Sequence, residues 1–220
     1  MGDFLTLSGE DRSAVKEAVL RNLRSGDVAV LASENGYIYV ADAFNTSAVE
    51  RIHAIRRTDP GTACQVFIGE IATAKGVARN FDSDAHLLAE KFWPGPLTLL
   101  VKPQQGLSWD LGDGGSLDEF ALRIPSRSFL LEVLQESGPV AIASASVAGR
   151  PPTSDINYVP ALPSDVGIYV DEGALSLGGS STVVRNGISG LEIVRESAIT
   201  FSQLSAVVSH ISAPRSRLAP

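Results

Sequence analysis

The chain has 220 residues, with 18 Lys and Arg against 25 Asp and Glu, and a formal net charge of −7. Hydrophobic residues at 44% and charged residues at 20% exclude a disordered chain. At this length roughly 70% of the unfolded surface is buried on folding, so the core needs neither disulfide nor metal. The acidic balance argues against a general nucleic-acid or anionic-membrane binder, although a local basic cleft remains allowed. Cys64 is the single cysteine and excludes an intramolecular disulfide. His53, His86 and His210 are scattered, without metal-ligand spacing, so no metal site is expected.

Met1 to Glu10 carries no basic segment followed by an apolar stretch, so no secretory leader is expected. The longest apolar runs, such as Val28–Ala32, fall far short of the ~20 residues that span a bilayer. The expectation is a soluble cytoplasmic protein; at ~150 residues per domain the length favours one large domain, with two small ones as the alternative.

In chain order, Ser8 is a candidate N-cap for a first helix, with Asp11 at the reciprocal position. Val15, Ala18, Val19 and Leu23 recur at helical spacing and Gly26 stops the helix. Val28–Leu31 is a continuous apolar run, the pattern of a strand buried on both faces. Tyr37–Val40 follows as a second strand after Asn35-Gly36, which signals a hairpin or a functional loop. Ser47–Glu50 has capping-box spacing, and Val49, Ile52 and Ile55 predict a helix ending near Arg57. Asp59-Pro60-Gly61 breaks the chain before a strand at Cys64–Ile68. Helices are expected over 70–79 and 83–92, the second ended by Pro94. Leu97–Val101 and Phe120–Ile124 read as strands around an exposed loop, Gly106–Glu119. Ser126 can cap a helix over Phe129–Glu136, ended by Gly138-Pro139. Val140–Ala143, Gly167–Val170, Thr182–Val184 and Leu191–Val194 complete the strands, with Arg185 to Gly187 as a surface hairpin turn. One amphipathic helix follows Ser202, and Ala213–Pro220 is expected to fray. Helices and strands alternate early and strands dominate later, which predicts one α/β domain around a mixed sheet.

The most unusual stretch is Lys91-Phe-Trp-Pro-Gly-Pro-Leu-Thr-Leu-Leu100. Pro94 and Pro96 fix φ near −65°, while Gly95 allows a close backbone approach. A rigid corner results, anchored by Phe92 and Trp93. Read from the residues alone, a purely structural corner is favoured over a ligand site. Arg123, between Leu122 and Ile124, is harder to treat as structural, because a charge on a sheet face needs a partner or a ligand. Arg56 and Arg57 can simply complement a helix C-terminus, and the small residues of 143–148 can be close packing. Cys64 reads as a small buried hydrophobe, and His53 as structural or exposed.

These residues resemble the YrdC-like family of threonylcarbamoyl-AMP synthases, in which a Phe-Trp-Pro-Gly-Pro-Leu-Thr corner is a hallmark. Leu122-Arg-Ile-Pro125, Gly138 through Ser146 and Gly149-Arg-Pro-Pro-Thr153 are similar to the family's Arg-Ile-Pro strand and its Thr-Ser-Ala-Asn loop. Ser180-Ser-Thr-Val-Val184 and Arg195 to Ile199 match later blocks in the same order. The resemblance covers about 25–200 and implies a single YrdC-like domain over 1–220, a twisted mixed parallel and antiparallel sheet with flanking helices and a concave cleft. Four positions depart from the family pattern: Asn35, Ile38, Thr58 and Ser146. Arg56 also stands where the family has lysine, which keeps the charge but changes its geometry.

The activity so implied is an ATP-dependent condensation of L-threonine with bicarbonate, releasing pyrophosphate, in the service of tRNA threonylcarbamoyladenosine modification. ATP is a substrate, Mg²⁺ accompanies it, and a separate tRNA threonylcarbamoyl transferase is the implied partner. No side-chain nucleophile is needed; the chemistry is positioning and charge stabilisation, with Arg56 on phosphate oxygens. The resemblance places Ser33, Arg123 and Thr182 on the amino-acid side. It places Arg56, Thr98, Ser144, Thr153, Ser181 and Arg195 on the nucleotide side. Two alternatives stand beside it. One is an impaired paralogue that binds nucleotide, tRNA or double-stranded RNA; the other is carbamoyl transfer to a different small molecule.

Overall fold

A computed structural model describes residues 2–7, 11–59, 61–116, 118–160 and 164–214. Ten strands form one sheet: β1 (Asp3–Thr6), β2 (Ala29–Ser33), β3 (Gly36–Asp42), β4 (Gln65–Phe67), β5 (Leu97–Val101), β6 (Phe120–Arg123), β7 (Val140–Ser144), β8 (Ile168–Asp171), β9 (Thr182–Gly187) and β10 (Gly190–Arg195). Their spatial order is β1-β8-β2-β3-β7-β4-β6-β5-β9-β10. The sheet is mixed, with β8 parallel to β1 and β2, β4 to β6 and β5 to β9, and the other neighbours antiparallel. Six α-helices among the described residues flank it: α1 (Arg12–Arg24), α2 (Thr46–Arg56), α3 (Ile71–Val77), α4 (Ser83–Phe92), α5 (Ser128–Ser137) and α6 (Phe201–Ser205). No helix among the described residues is long and apolar enough to cross a membrane.

Alternation along the strands sorts the core into two faces. On one, Val30, Tyr39, Val66, Leu99 and Leu122 pack with Val49 and Ile52 of α2 and Leu88 of α4. On the other, Leu31, Val40, Val140 and Val170 pack under Val15 and Val19 of α1 and Phe129 and Val133 of α5. This second face is covered unevenly. Helices α1 and α5 lie over the β8, β2 and β3 side, whereas toward β5 and β9 the same face carries Gln65, Thr98, Arg123 and Ser181. Those polar residues form the floor of a cleft instead of a helix seat.

Several local expectations shift. Helix α1 is capped by Asp11, whose carboxylate accepts from Ser13 N at 2.9 Å, while Ser8 lies outside the described residues. Asn45, not Ser47, caps α2 by accepting from Ala48 N at 3.0 Å. The cap position of α5 falls on Arg127, one residue later than expected, and carries no side-chain cap, while the Ser126 hydroxyl bonds to Glu34. Strand β1 escaped notice since four edge residues carry little alternation; it pairs with β8 in parallel register. The 106–119 loop is not simply exposed. Trp109 and Leu111 are buried, Trp109 meets the Phe120 ring edge-on at 5.2 Å, and Cys64 N donates to Leu111 O at 2.8 Å. Strand β9 runs through Gly187, so the hairpin turn is Ile188-Ser189. Arg185 pairs with Glu119 at 2.8 Å, and Asn186 is buried, bonded to Asn80 O and Asp82. Of the expected frayed tail, residues 215–220 lie outside the described ones, and Ser212 still bridges to Glu192.

Candidate active site

The corner ahead of β5 is built to present backbone. A Cβ on Gly95 would sit 2.5 Å from Phe92 O, so only glycine fits there. The Trp93 indole donates to Leu97 O at 2.7 Å, and the Trp93–Pro94 bond is cis. Gly95 N donates to Ile124 O at 2.9 Å, and Gly95 O accepts from Arg123 Nε at 2.7 Å. The corner therefore does more than turn the chain: its carbonyl holds Arg123 of the cleft floor.

Arg123 is 4% exposed, and its other two nitrogens are also engaged. Nη2 lies 3.2 Å from Glu34 Oε1, Nη1 donates to Asn35 Oδ1 at 3.4 Å, and the guanidinium sits over the Phe67 ring at 5.7 Å. Burial lowers the proton affinity of this guanidinium and Glu34 partly restores it; arginine titrates so high that the charge persists at neutral pH. A guanidinium has five N–H donors, so a hydrogen on each Nη is left for a ligand.

Glu34 and Asn35 form the tip of the β2–β3 hairpin. Gly36, at φ 110°, closes it in a conformation that disfavours a side chain. Asn35 Nδ2 donates to Gly178 O and Gly179 O at 3.2 and 2.7 Å, and Gly178 N donates to Glu34 O at 2.7 Å. The tip thus ties down the connection that crosses from β8 to β9. Ser33, 4% exposed, donates to Gly36 O at 2.8 Å inside the same turn.

Between these elements lies an open cleft of about 190 Å³. Ser33, Arg123, Ser144, Ser181 and Arg195 line it, together with Asn35, Gln65 and Phe67. Arg195 is exposed and donates to Ser181 O from Nε and Nη2 at 3.2 and 2.8 Å. Two guanidinium groups and four serines, Ser180 with the three above, thus meet in one cleft of an acidic protein. Such donors suit a ligand rich in anionic oxygen.

The remaining expected residues stand behind this lining. Thr98 is buried and donates to Ser181 Oγ at 2.8 Å. Thr153 donates to Ala145 O at 2.9 Å, and its own carbonyl accepts from Tyr37 N. Arg56 Nη1 donates to Ser146 O at 2.9 Å and to Ser144 O, fixing the end of β7. Burial lowers the proton affinity of Arg56. Thr182 is not brought to the cleft surface. It is fully buried, donates to Ile199 O at 2.7 Å and accepts from Ser197 N and Ile199 N, which fills its hydroxyl.

The four departures scatter. Asn35 and Ile38 line the cleft, while Ser146 is buried and offers its carbonyl to Arg56. Thr58 instead lines a second cavity of about 260 Å³ with Glu50, His53, Asp59 and Asp110. Arg57 caps α2 in the left-handed region at φ 54° and lines neither cavity. His53 is structural, within 2.9 Å of Leu111 O and 3.3 Å of Cys64 Sγ. Sequence reasoning passed over Gln65 and Phe67, although their alternation with Val66 was the available signal. It also passed over Pro152, Ser180 and Ile142, and no signal in the sequence pointed to Glu34 as the partner of Arg123.

The Sua5/YciO/YrdC family model, described as telomere recombination, matches residues 21–197. A Mycobacterium tuberculosis protein provisionally named a threonylcarbamoyl-AMP synthase is 31% identical over 176 residues, 80% of each chain. The Bacillus subtilis threonylcarbamoyl-AMP synthase is 31% identical over 209 residues, 93% of this chain and 59% of the relative. In three dimensions, the structure of P. abyssi Sua5 complexed with L-threonine superposes with a TM-score of 0.83 at 22% identity, over 97% of this chain and 62% of that one. The fold is therefore that of the solved relatives, though this chain spans about three-fifths of the two longer ones. With the corner, the Arg-bearing β6 strand and the cleft all in family order, the chain belongs to the Sua5/YciO/YrdC family.

Proposed function

We propose that this chain is a threonylcarbamoyl-AMP synthase. The threonine amine attacks the bicarbonate carbon and water leaves, giving a carbamate. A carbamate oxygen then attacks the α-phosphorus of ATP, and pyrophosphate departs. The observation that carries the reading is the gathering of Arg123 and Arg195 with Ser33, Ser144 and Ser181 in one cleft, in a chain whose named relatives are synthases. The relative complexed with L-threonine supports an amino-acid subsite in this fold. Arg123, held by Glu34 and Gly95, would take the threonine carboxylate, with Ser33 beside it. Ser144, Ser181 and Arg195 would meet the nucleotide, and Arg56, Thr98 and Thr153 would hold those groups in place. Thr182 would only secure the β9 entry.

Mg²⁺ would enter on the ATP phosphates, since no group of three His, Cys, Asp or Glu among the described residues is placed to hold a metal. The protein supplies positioning and positive charge to the leaving pyrophosphate. The product would pass to a separate transferase that modifies tRNA. A net charge of −7 favours that division of labour over direct tRNA binding.

One observation favours a second reading, nucleotide binding without turnover. Arg56 bonds to backbone carbonyls, and Thr58, one of the four departures from the family pattern, lines another cavity. Pyrophosphate release decides between them, measured with ATP, bicarbonate and L-threonine and with each omitted in turn. Release that needs all three establishes the synthase. ATP binding with no release under any amino acid establishes the second reading.

A further inference from the structure

We propose that Asn35 is a positioning residue for the nucleotide: by fastening the Gly178-Gly179 pair it holds the Ser180-Ser181 wall of the cleft in place before a ligand arrives. This deepens the reading of the cleft above and rests on it. The connection from β8 to β9 must pass the strands that stand between its ends, β2, β3, β7, β4, β6 and β5. Its last residues, Ser180 and Ser181, line the cleft. Ahead of them stand two glycines, which have the most backbone freedom to lose on ordering and no side chain to pack. A Cβ on Gly178 would lie 3.0 Å from Glu34 O, so glycine lets the two backbones approach. Hydrogen bonds therefore decide where this stretch lies. Among the described residues, Gly178 N donates to Glu34 O at 2.7 Å and Ala198 N to Ser180 O at 3.3 Å. The two bonds from Asn35, to Gly178 O and Gly179 O, double that hold.

The partners of Asn35 fix the orientation of its amide. Nδ2 faces two carbonyl oxygens, which only accept, at 3.2 and 2.7 Å. Oδ1 faces Arg123 Nη1, which only donates, at 3.4 Å. A flipped amide would set oxygen against oxygen and N–H against N–H, so all three contacts select the same orientation. The Arg123 contact is the longest of the three, and Arg123 keeps Gly95 O at 2.7 Å and Glu34 at 3.2 Å without it. The larger effect of Asn35 therefore falls on the glycine pair, and through it on Ser180 and Ser181, although Asn35 itself stands beside the arginine of the amino-acid side. A nucleotide meeting a loose wall would have to order it on binding, and the entropy lost would lower its affinity.

The test uses the full chain with Asn35→Leu, which keeps most of the side-chain volume and removes all three contacts. Asn35→Ala serves if the leucine variant does not fold, with thermal midpoints as the check. Wild type and variant are titrated calorimetrically with MgATP and with L-threonine, and hydrogen exchange over 176–181 is followed with and without MgATP. Asn35→Leu should weaken MgATP about fivefold or more, the lower end for two neutral hydrogen bonds, and L-threonine less than that. Exchange over 176–181 should quicken in the free variant and slow again when MgATP saturates it. Asn35→Asp keeps an acceptor for Arg123 and removes both donors; its exchange should quicken as well, because the donors hold the glycines. Unchanged MgATP affinity overturns the proposal, as does unchanged exchange in any of these variants. So does a loss confined to L-threonine, which would leave Asn35 serving Arg123 alone, or an equal loss for both ligands, which marks a general structural role. A wild type that does not bind MgATP overturns it too. A wild type that shows the Asn35 effect yet makes no threonylcarbamoyl-AMP keeps the clasp and sinks the synthase reading; synthesis without the effect does the reverse.

Discussion

Arg123→Met tests the cleft floor most directly, because it keeps the aliphatic stem and removes only the guanidinium. Three acceptors lose a donor: Gly95 O, Asn35 Oδ1 and Glu34 Oε1. Glu34 is the costly one. Its Oε1 keeps the Ser126 amide and hydroxyl, but its Oε2 is buried with no partner, so the carboxylate charge loses its counter-ion. Removing one member of a buried ion pair costs about 3–5 kcal/mol. The Glu34 side chain is 21% exposed, so water recovers part of this, and about 2–3 kcal/mol is expected. That is a large share of the about 5–15 kcal/mol that holds a domain together, yet leaves it folded. Urea denaturation should show a lower midpoint at an unchanged slope, and heating a midpoint about 4–12 °C lower. Adding Glu34→Gln should recover part of the loss, because the stranded charge is then gone. A loss below about 0.5 kcal/mol, the level of ordinary surface substitutions, or a double variant less stable than the single one, would refute the reasoning.

Arg195→Ala removes an exposed side chain whose bonds go to Ser181. MgATP should bind about tenfold more weakly or worse while the thermal midpoint barely moves, and unchanged affinity would take Arg195 out of the site. Gly36→Ala would put a Cβ 2.6 Å from Thr153 O at φ 110°; about 1–3 kcal/mol of stability should be lost, read from the urea midpoint. Alkaline titration has a definite sign. Burial pushes the Cys64 thiol from 9.0 and the Tyr37 phenol from 10.0 up to about 12 each. The unfolded chain releases these protons first, so their contribution is full below pH 9 and is lost as the pH rises toward 12. Urea midpoints should fall across that window, less steeply in Cys64→Ala, and a midpoint that rises would contradict the burial of both groups.

How much of this was legible varies with the range of the interaction that decides it. Strand β5 begins and ends where the sequence predicts, since Pro96 bars an earlier start and Leu97, Leu99 and Val101 alternate. The helix starts were less legible. Asp11, Asn45 and Ser47 are all competent caps, and which one is used depends on where the preceding strand or loop delivers the chain. Trp109 and Leu111 look like parts of a polar loop until β6 and α2 supply the surfaces that bury them. Asn186 reads as a turn residue by type, but the asparagine at position 80 makes it an interior one.

The same division runs through the site. By itself the sequence determined that an acidic chain carries Arg123 inside a strand and a rigid corner in which two prolines flank a glycine. Those are consequences of covalent geometry and of the cost of burying a charge, and both act within a few residues. Only the tertiary structure decided that the corner's carbonyl orients that arginine and that Glu34 neutralises it. It also decided that Gln65 and Ser181 both hydrogen-bond to the Thr98 hydroxyl and that Thr182 stands outside the cleft. Each of those pairings joins strands distant in sequence, and the order in which the sheet sets its strands side by side chooses the partners.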